Sequence, residues 1–309
     1  MRVIITGGSG LIGRELTASL VQEGHEVIIL SRNPEKVSGI ADSTRAVAWD
    51  GKTDQGWGHL VEGADAIVNL AGENLAGEGF FPNRLTSERK QRIRDSRVFA
   101  GEAIIEAFQA AEKKPEVLIQ SSAVGYYGPH GDEKLDENSP PGDDFFAGWK
   151  EWEKVTAPAE DMGVRRVIIR SGVVFSTKKG SALTRLMLPF KLFAGGPFGN
   201  GQQYISWIHI ADEVGAIRTL IGNKVARGVY NLTAPNPATN AEVGMALAKV
   251  MHRPYYLPTP EIALKMAFGE VTSVVLEGQR VIPKRLLELG FTFQFPEIEP
   301  ALCDLLNKP

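Results

Sequence analysis

Gly7, Gly10 and Gly13 stand in a G-x-x-G-x-x-G spacing within Val3-Ile4-Ile5-Thr6-Gly7-Gly8-Ser9-Gly10-Leu11-Ile12-Gly13. Such a bend brings backbone N–H groups close to a ligand and aims a helix N-terminus at it. A pyrophosphate suits it, because it is anionic and needs several donors. The third glycine lets the helix pack close to the strand. An apolar run precedes the bend, Arg14–Gln22 reads as a helix after it, and Glu26–Leu30 is a second apolar run at βαβ distance. Gly7, Ser9, Gly10, Leu11, Ile12 and Gly13 are therefore expected to hold a dinucleotide. The second run ends in Ser31 and Arg32, with no carboxylate. A carboxylate there would hold the ribose 2′-OH of NAD, whereas a guanidinium matches a 2′-phosphate. NADP is expected over NAD; the plainer reading makes Arg32 a solvated charge after a strand.

The elements that must position these residues follow in order. Residues 45–50 read as a third strand, with Asp50 near its end where an adenine ring could pass. Asp65–Gly72 reads as a fourth strand running into Ala71-Gly72, small residues that let backbone approach the cofactor. Glu73–Arg84 is a loop over the site. Residues 86–114 have helical periodicity, with Val98, Ile104, Ile105 and Phe108 as an apolar stripe. Val117–Gln120 begins a fifth strand, and Ser121–Gly128 lies at its carboxyl end, the edge that carries ligands in open α/β sheets. A helix is expected from about Phe145 to Met162 and a sixth strand over 167–175. This alternation argues a parallel, doubly wound α/β sheet. Past residue 176 the texture changes. A glycine loop at 194–201 precedes Ile208-His209-Ile210-Ala211-Asp212, where Asp212 is a candidate N-cap. Gly228–Leu232 reads as the last strand. The expected division is a nucleotide-binding domain at 1–175, rejoined by 211–234, and a smaller substrate lobe from 176–210 and 235–309.

Composition excludes several classes. The net charge of −3 gives a nucleic-acid surface no support. The one cysteine, Cys303, rules out an intrachain disulfide and any cysteine-cluster metal site. The histidines have no metal-ligand spacing, so no metal is expected. No apolar run approaches the roughly 18 residues of a membrane span. No signal-peptide layout is visible, so a cytoplasmic location is expected, with an organelle matrix also open.

Thr6–Gly13, Asn69-Leu70-Ala71-Gly72, Ser121–Gly128 and Ile208–Asp212 resemble an extended short-chain dehydrogenase/reductase. Arg170–Val174, Leu188–Lys191, Gly195–Gly199, Ser206–His209 and the tail Leu276–Leu286 with Gly290-Phe291 resemble its atypical "epimerase family protein" branch, which ends in its own C-terminal module. The resemblance spans nearly the whole chain. It implies a Rossmann fold, NADP binding that includes Asn69, Leu70, Ala71 and Gly72, and no settled reaction.

The resemblance also implies a reaction centre of a tyrosine and a lysine four residues apart on one helix face, a Ser or Thr at the strand edge, and an upstream Asn. Here the best-placed lysine is Lys150, but Phe146 stands four before it. Ala123 occupies the Ser/Thr position beside Ser122, and Arg97 the Asn position. Lys150 and Arg97 are thus assigned to the cofactor, with Tyr127 or Tyr126 and Ser122 as substitutes for the missing acid. Nucleotide-sugar epimerases of this superfamily carry a diphosphate-gripping arginine where this chain has Ile205. Phe198, Tyr204 and Trp207 suggest a smaller, weakly charged substrate. The expected function is NADP(H)-dependent oxidation or reduction of a small carbonyl or alcohol. The alternatives are a non-catalytic NADP-binding redox sensor and, third, a nucleotide-sugar epimerase. The helix at 86–114 could build a homodimer face.

Overall fold

The computed structural model describes residues 1–37, 44–75, 77, 85–142, 149–268 and 276–307. Seven strands form one parallel sheet: β1 (Arg2–Thr6), β2 (Glu26–Ser31), β3 (Thr44–Ala48), β4 (Ala66–Asn69), β5 (Val117–Ala123), β6 (Arg165–Ser171) and β7 (Gly228–Leu232). Their spatial order is β3-β2-β1-β4-β5-β6-β7. The chain runs outward from β1 in one direction, then returns to its other side. That reversal opens a crevice between the carboxyl ends of β1 and β4, where such sheets bind ligands.

The inner strands are aliphatic on both faces because helices cover both. On one face Val3, Ile5, Val27, Ile29, Ile119 and Ile169 pack with Leu16 and Leu20 of α1 (Leu11–Gln22) and Ile217 and Leu220 of α6 (Ile210–Gly222). On the other, Ile4, Ile28, Ile67 and Leu118 meet Ala103, Ile104 and Phe108 of α2 (Ser87–Ala110). Thr86 caps α2 by accepting from the Arg89 N–H. A third core joins α5 (Ala182–Lys191), α7 (Asn240–Met251) and the helix Ile298–Leu306 through Leu183, Met187, Phe190, Val243, Leu247, Ala301 and Leu302.

Local departures from the expected elements have physical causes. The sixth strand is two. At Gly172 a Cβ would collide with the Ser206 carbonyl, and Val173–Phe175 leaves the sheet to pair with Trp207–His209. Within the expected helix of 145–162, residues 143–148 lie outside the described residues. The remainder is α3 (Trp149–Lys154) and α4 (Pro158–Asp161), with Pro158 at the first position of the second. The third strand stops at Ala48, and Asp50 just beyond it closes a turn, accepting from the N–H groups of Lys52 and Thr53 at 2.8 and 2.9 Å. The cap of α6 is His209, whose Nδ1 accepts from the Ala211 N–H at 3.0 Å. Asp212 instead accepts from the Gln294 and Phe295 N–H groups at 2.7 and 3.0 Å and ties down the C-terminal segment. No described helix is long and apolar enough to cross a membrane.

Candidate functional site

The bend after β1 is shaped by its glycines. Gly7 has φ +66°, a left-handed conformation that favours glycine, and a Cβ there would sit 2.6 Å from the Leu70 carbonyl oxygen. A Cβ on Gly13 would sit 2.5 Å from the Gly7 oxygen and 2.6 Å from the Gly8 Cα. Gly10 donates to the Gly7 oxygen at 2.9 Å and is the N-cap of α1, with no side chain capping the helix. The first-turn N–H groups of Leu11, Ile12 and Gly13 thus meet no capping side chain among the described residues at the carboxyl edge of the sheet. Ser9 is exposed, and its carbonyl accepts from the Arg14 guanidinium. This is the geometry of a pyrophosphate cradle.

At the end of β2, Ser31 is half-buried and Arg32 is exposed with no acidic partner among the described residues. At the end of β4, Asn69 corrects the expectation. Its side chain is fully buried, accepting from Thr6 Oγ1 at 2.6 Å and donating to Gln120 at 2.9 Å. It pins β1, β4 and β5 together, with its side-chain oxygen and nitrogen both bonded inside the sheet. Leu70, Ala71 and Gly72 follow as backbone. The Leu70 N–H bonds the Thr6 carbonyl, and the Ala71 N–H reaches Thr6 Oγ1. A Cβ on Gly72 would lie 3.0 Å from the guanidinium carbon of Arg97, directly beneath. Arg97 is buried, donates to the Ile93 and Glu73 carbonyls, and lies 4.8 Å from the rings of both Trp149 and Trp152. Burial pushes its pKa down to about 10, so it stays cationic at neutral pH.

The residues proposed for proton transfer separate into two groups. Ser122 is buried, and its hydroxyl donates to Glu153 at 2.7 Å. Tyr127 is fully buried. Its hydroxyl donates to Asn231 at 2.7 Å and accepts from Arg170 at 2.9 Å. Burial pushes this phenol up to about 12. Both are therefore structural: their polar atoms are spent inside the protein. Tyr126, the other candidate, is half-buried, and its hydroxyl has no hydrogen-bond partner among the described residues. The Arg170 guanidinium lies 3.4 Å over its ring. Lys150 is half-buried on α3, the helix packed against β5 and the Val124–Tyr127 turn.

Arg170, which opens the family motif Arg170–Val174, and Glu153, which no motif covers, organise this corner. Arg170 donates to both Glu153 oxygens, at 2.8 and 2.9 Å. Burial opposes its charge, but the bonds and proximity of Glu153 raise its pKa above the ordinary arginine value. The signal for Arg170 is an arginine directly after the aliphatic run Val167-Ile168-Ile169 on the same strand, since buried charges are rare unless paired. Trp207 also corrects an expectation. It is fully buried and stacked 5.9 Å from Phe175 in the core of the C-terminal lobe.

A family profile, the NAD dependent epimerase/dehydratase family, matches residues 3–233. The chain belongs to the NAD dependent epimerase/dehydratase family. Residues 259–305 match a domain of unknown function, DUF1731. Within this family, the epimerase family protein SDR39U1 homolog, chloroplastic, of Arabidopsis thaliana is 39% identical over 99% of this chain and 87% of its own. Epimerase family protein YfhF of Bacillus subtilis is 37% identical over 99% and 98%. The crystal structure of human epimerase family protein SDR39U1 (isoform 2) with NADPH has a TM-score of 0.86 at 34% identity, over 100% of both chains. UDP-glucose 4-epimerase of Thermus thermophilus, in complex with NAD, shares the fold at 19% identity and a TM-score of 0.75.

Glu213 adds a titrating group that patterning missed. It is fully buried, accepts from Ser171 at 2.6 Å, and leaves Oε2 without a partner among the described residues. Burial raises its pKa from 4.5 to about 8. The folded state therefore holds a proton that the unfolded chain releases, and stability falls as pH rises from 4.5 to about 8. Glu213→Gln keeps the acceptor for Ser171 but cannot ionise. Its stability relative to wild type is expected to rise across that window in urea titrations; parallel curves would contradict the assignment.

Proposed function

We propose that this protein binds NADP(H) at the Gly7–Gly13 bend and reduces, or in reverse oxidises, a small carbonyl or alcohol. The observation that carries the reading is the bend itself, whose N–H groups stand at the crevice between β1 and β4 without a capping side chain. The NADPH in the human relative's crystal structure supports the same choice. Arg32 would meet the 2′-phosphate, Ala71 and Gly72 would admit the cofactor by their small size, and Lys150 would hold the nicotinamide ribose. NADPH, when bound, supplies a hydride and leaves as NADP+. Tyr126 gives its phenolic proton to the carbonyl oxygen as the carbon is reduced, and regains one from solvent. Arg97 keeps a positive charge beneath Gly72 throughout. Ile205 leaves a diphosphate without its expected guanidinium, which supports a small substrate over a nucleotide sugar.

One observation favours the sensor reading: the hydroxyls of Ser122 and Tyr127 are both occupied. Single-turnover oxidation of bound NADPH across a carbonyl panel separates the two. Turnover that drops sharply in Tyr126→Phe is expected; tight NADPH binding with no turnover on any carbonyl would favour the sensor. Arg32→Asp is expected to weaken NADPH far more than NADH in calorimetric titrations. Equal losses would remove the 2′-phosphate assignment.

A further inference from the structure

The parallel ladder between Lys134–Leu135 and Arg280–Val281 puts Arg280 in register with Lys134 and Val281 with Leu135. Paired residues share a face, so two cations lie side by side. Neither has a hydrogen bond or an ion pair from its side chain among the described residues. Nearby cations are matched: Lys284 pairs with Asp136 at 2.9 Å, and Arg285 donates to the Arg227 and Val229 carbonyls. Arg280 is half-buried, with its guanidinium carbon 4.7 Å from the centre of the Tyr204 ring. Its Nε is buried without an acceptor among the described residues. Gly278, at φ +52°, holds this strand against Tyr204, since a Cβ there would strike the Tyr204 carbonyl. On the opposite face, Val281 packs with Val124, Tyr127 and Leu135, with Tyr126 at the margin of that cluster. The arginine therefore stands one residue from the packing that supports the proposed proton donor.

We propose that Arg280, with Lys134 beside it and the Tyr204 ring beneath it, is a receptor for one anionic group, a carboxylate or phosphate monoester, on the substrate. Two like charges on one face both attract an anion placed between them. A guanidinium stacked on a ring is pre-oriented for a planar or tetrahedral oxyanion. Ile205 supplies no further cation next to Tyr204, so the receptor suits one anionic group and not a diphosphate. Calling that group the substrate's rests on the oxidoreductase reading; the receptor itself does not.

The test titrates benzoate, phenyl phosphate and neutral benzamide into the protein, alone and saturated with NADPH. At least one of the two anions is expected to bind about tenfold more tightly than benzamide, as a charge-assisted bond implies; which one does so tells a carboxylate from a phosphate ligand. Arg280→Met is expected to erase the preference and leave NADPH affinity unchanged, which also reports that the variant is folded. Lys134→Gln, at an exposed position, is expected to reduce the preference by a smaller factor. Equal affinity for all three probes, or an undiminished preference in Arg280→Met, would overturn the receptor. Anion preference that follows Arg280 in a protein unable to bind NADPH would overturn the oxidoreductase reading alone.

Discussion

Gly13→Val is expected to raise the Kd for NADPH by roughly a hundredfold or more. A Cβ at this position meets only backbone: the Gly7 oxygen at 2.5 Å and the Gly8 Cα at 2.6 Å. Backbone cannot swing aside as a flexible side chain would, so α1 must separate from the bend. The first-turn N–H groups move with it. Losing two charge-assisted hydrogen bonds costs about 3 kcal/mol or more, which is the hundredfold. Gly10→Ala is the milder companion, because its Cβ would meet a single atom, the Gly7 oxygen, at 3.1 Å. Calorimetry on both variants, with circular dichroism to verify folding, checks the ranking. A Gly13→Val protein that folds and binds NADPH within a few-fold of wild type would show that phosphates do not sit at the bend.

Arg170→Met is expected to destabilise the fold by about 3–5 kcal/mol, the usual cost of stranding one partner of a buried ion pair. Arg170 is 3% exposed and Glu153 is 7% exposed. Without the guanidinium, the Glu153 carboxylate keeps the Ser122 hydroxyl as its side-chain donor, and the Tyr127 oxygen loses its donor. The double variant Arg170→Met/Glu153→Leu removes the stranded charge and is expected to recover much of the loss. Urea unfolding of the wild type, both single variants and the double variant closes the cycle. A single variant as stable as wild type, or a double variant no better than Arg170→Met, would contradict the pair's assigned role. Arg170→Met also strips the cation from the Tyr126 ring, so turnover is expected to fall even under conditions where the variant is folded.

Legibility in the sequence followed the range of the interactions. The glycine bend, the aliphatic strands and the α/β alternation depend on neighbours within a few residues, and local pattern sufficed for them. The break at Gly172 was hidden because its cause is the Ser206 carbonyl, distant in sequence. The Tyr127 error has the same origin. Its placement at the sheet edge was readable, but its partners Arg170 and Asn231 lie 43 and 104 positions away. Ser122 likewise meets Glu153 across 31 positions. Asn69 is implied as a cofactor contact by the family motif Asn69–Gly72; the structure turns its side chain inward, to Thr6 of β1 and Gln120 of β5. The segment Ile208–Asp212 reads from sequence as a strand end and helix cap with Asp212 as the capping side chain, but the capping residue is His209. It also pairs through Nε2 with Asp304 at 3.2 Å, a contact reached only once the C-terminal helix folds back.

The C-terminal segment matters to the site for the same long-range reason. Asn231, which accepts from Tyr127, donates to the Ile282 carbonyl at 3.1 Å and, through its backbone, to Glu137 at 3.0 Å. Glu137 in turn accepts from the Arg285 N–H. A chain of buried polar contacts therefore runs from β5 through Glu153, Arg170 and Tyr127 to the segment matched by DUF1731. Buried networks of this kind rigidify only when their members are satisfied.

The most direct measurement is a crystal structure of the protein grown with NADPH. The account predicts pyrophosphate density within hydrogen-bond reach of the N–H groups that open α1, with the 2′-phosphate beside Arg32. Well-ordered crystals with that bend empty at saturating NADPH, or with the nucleotide bound elsewhere on the sheet, would contradict it.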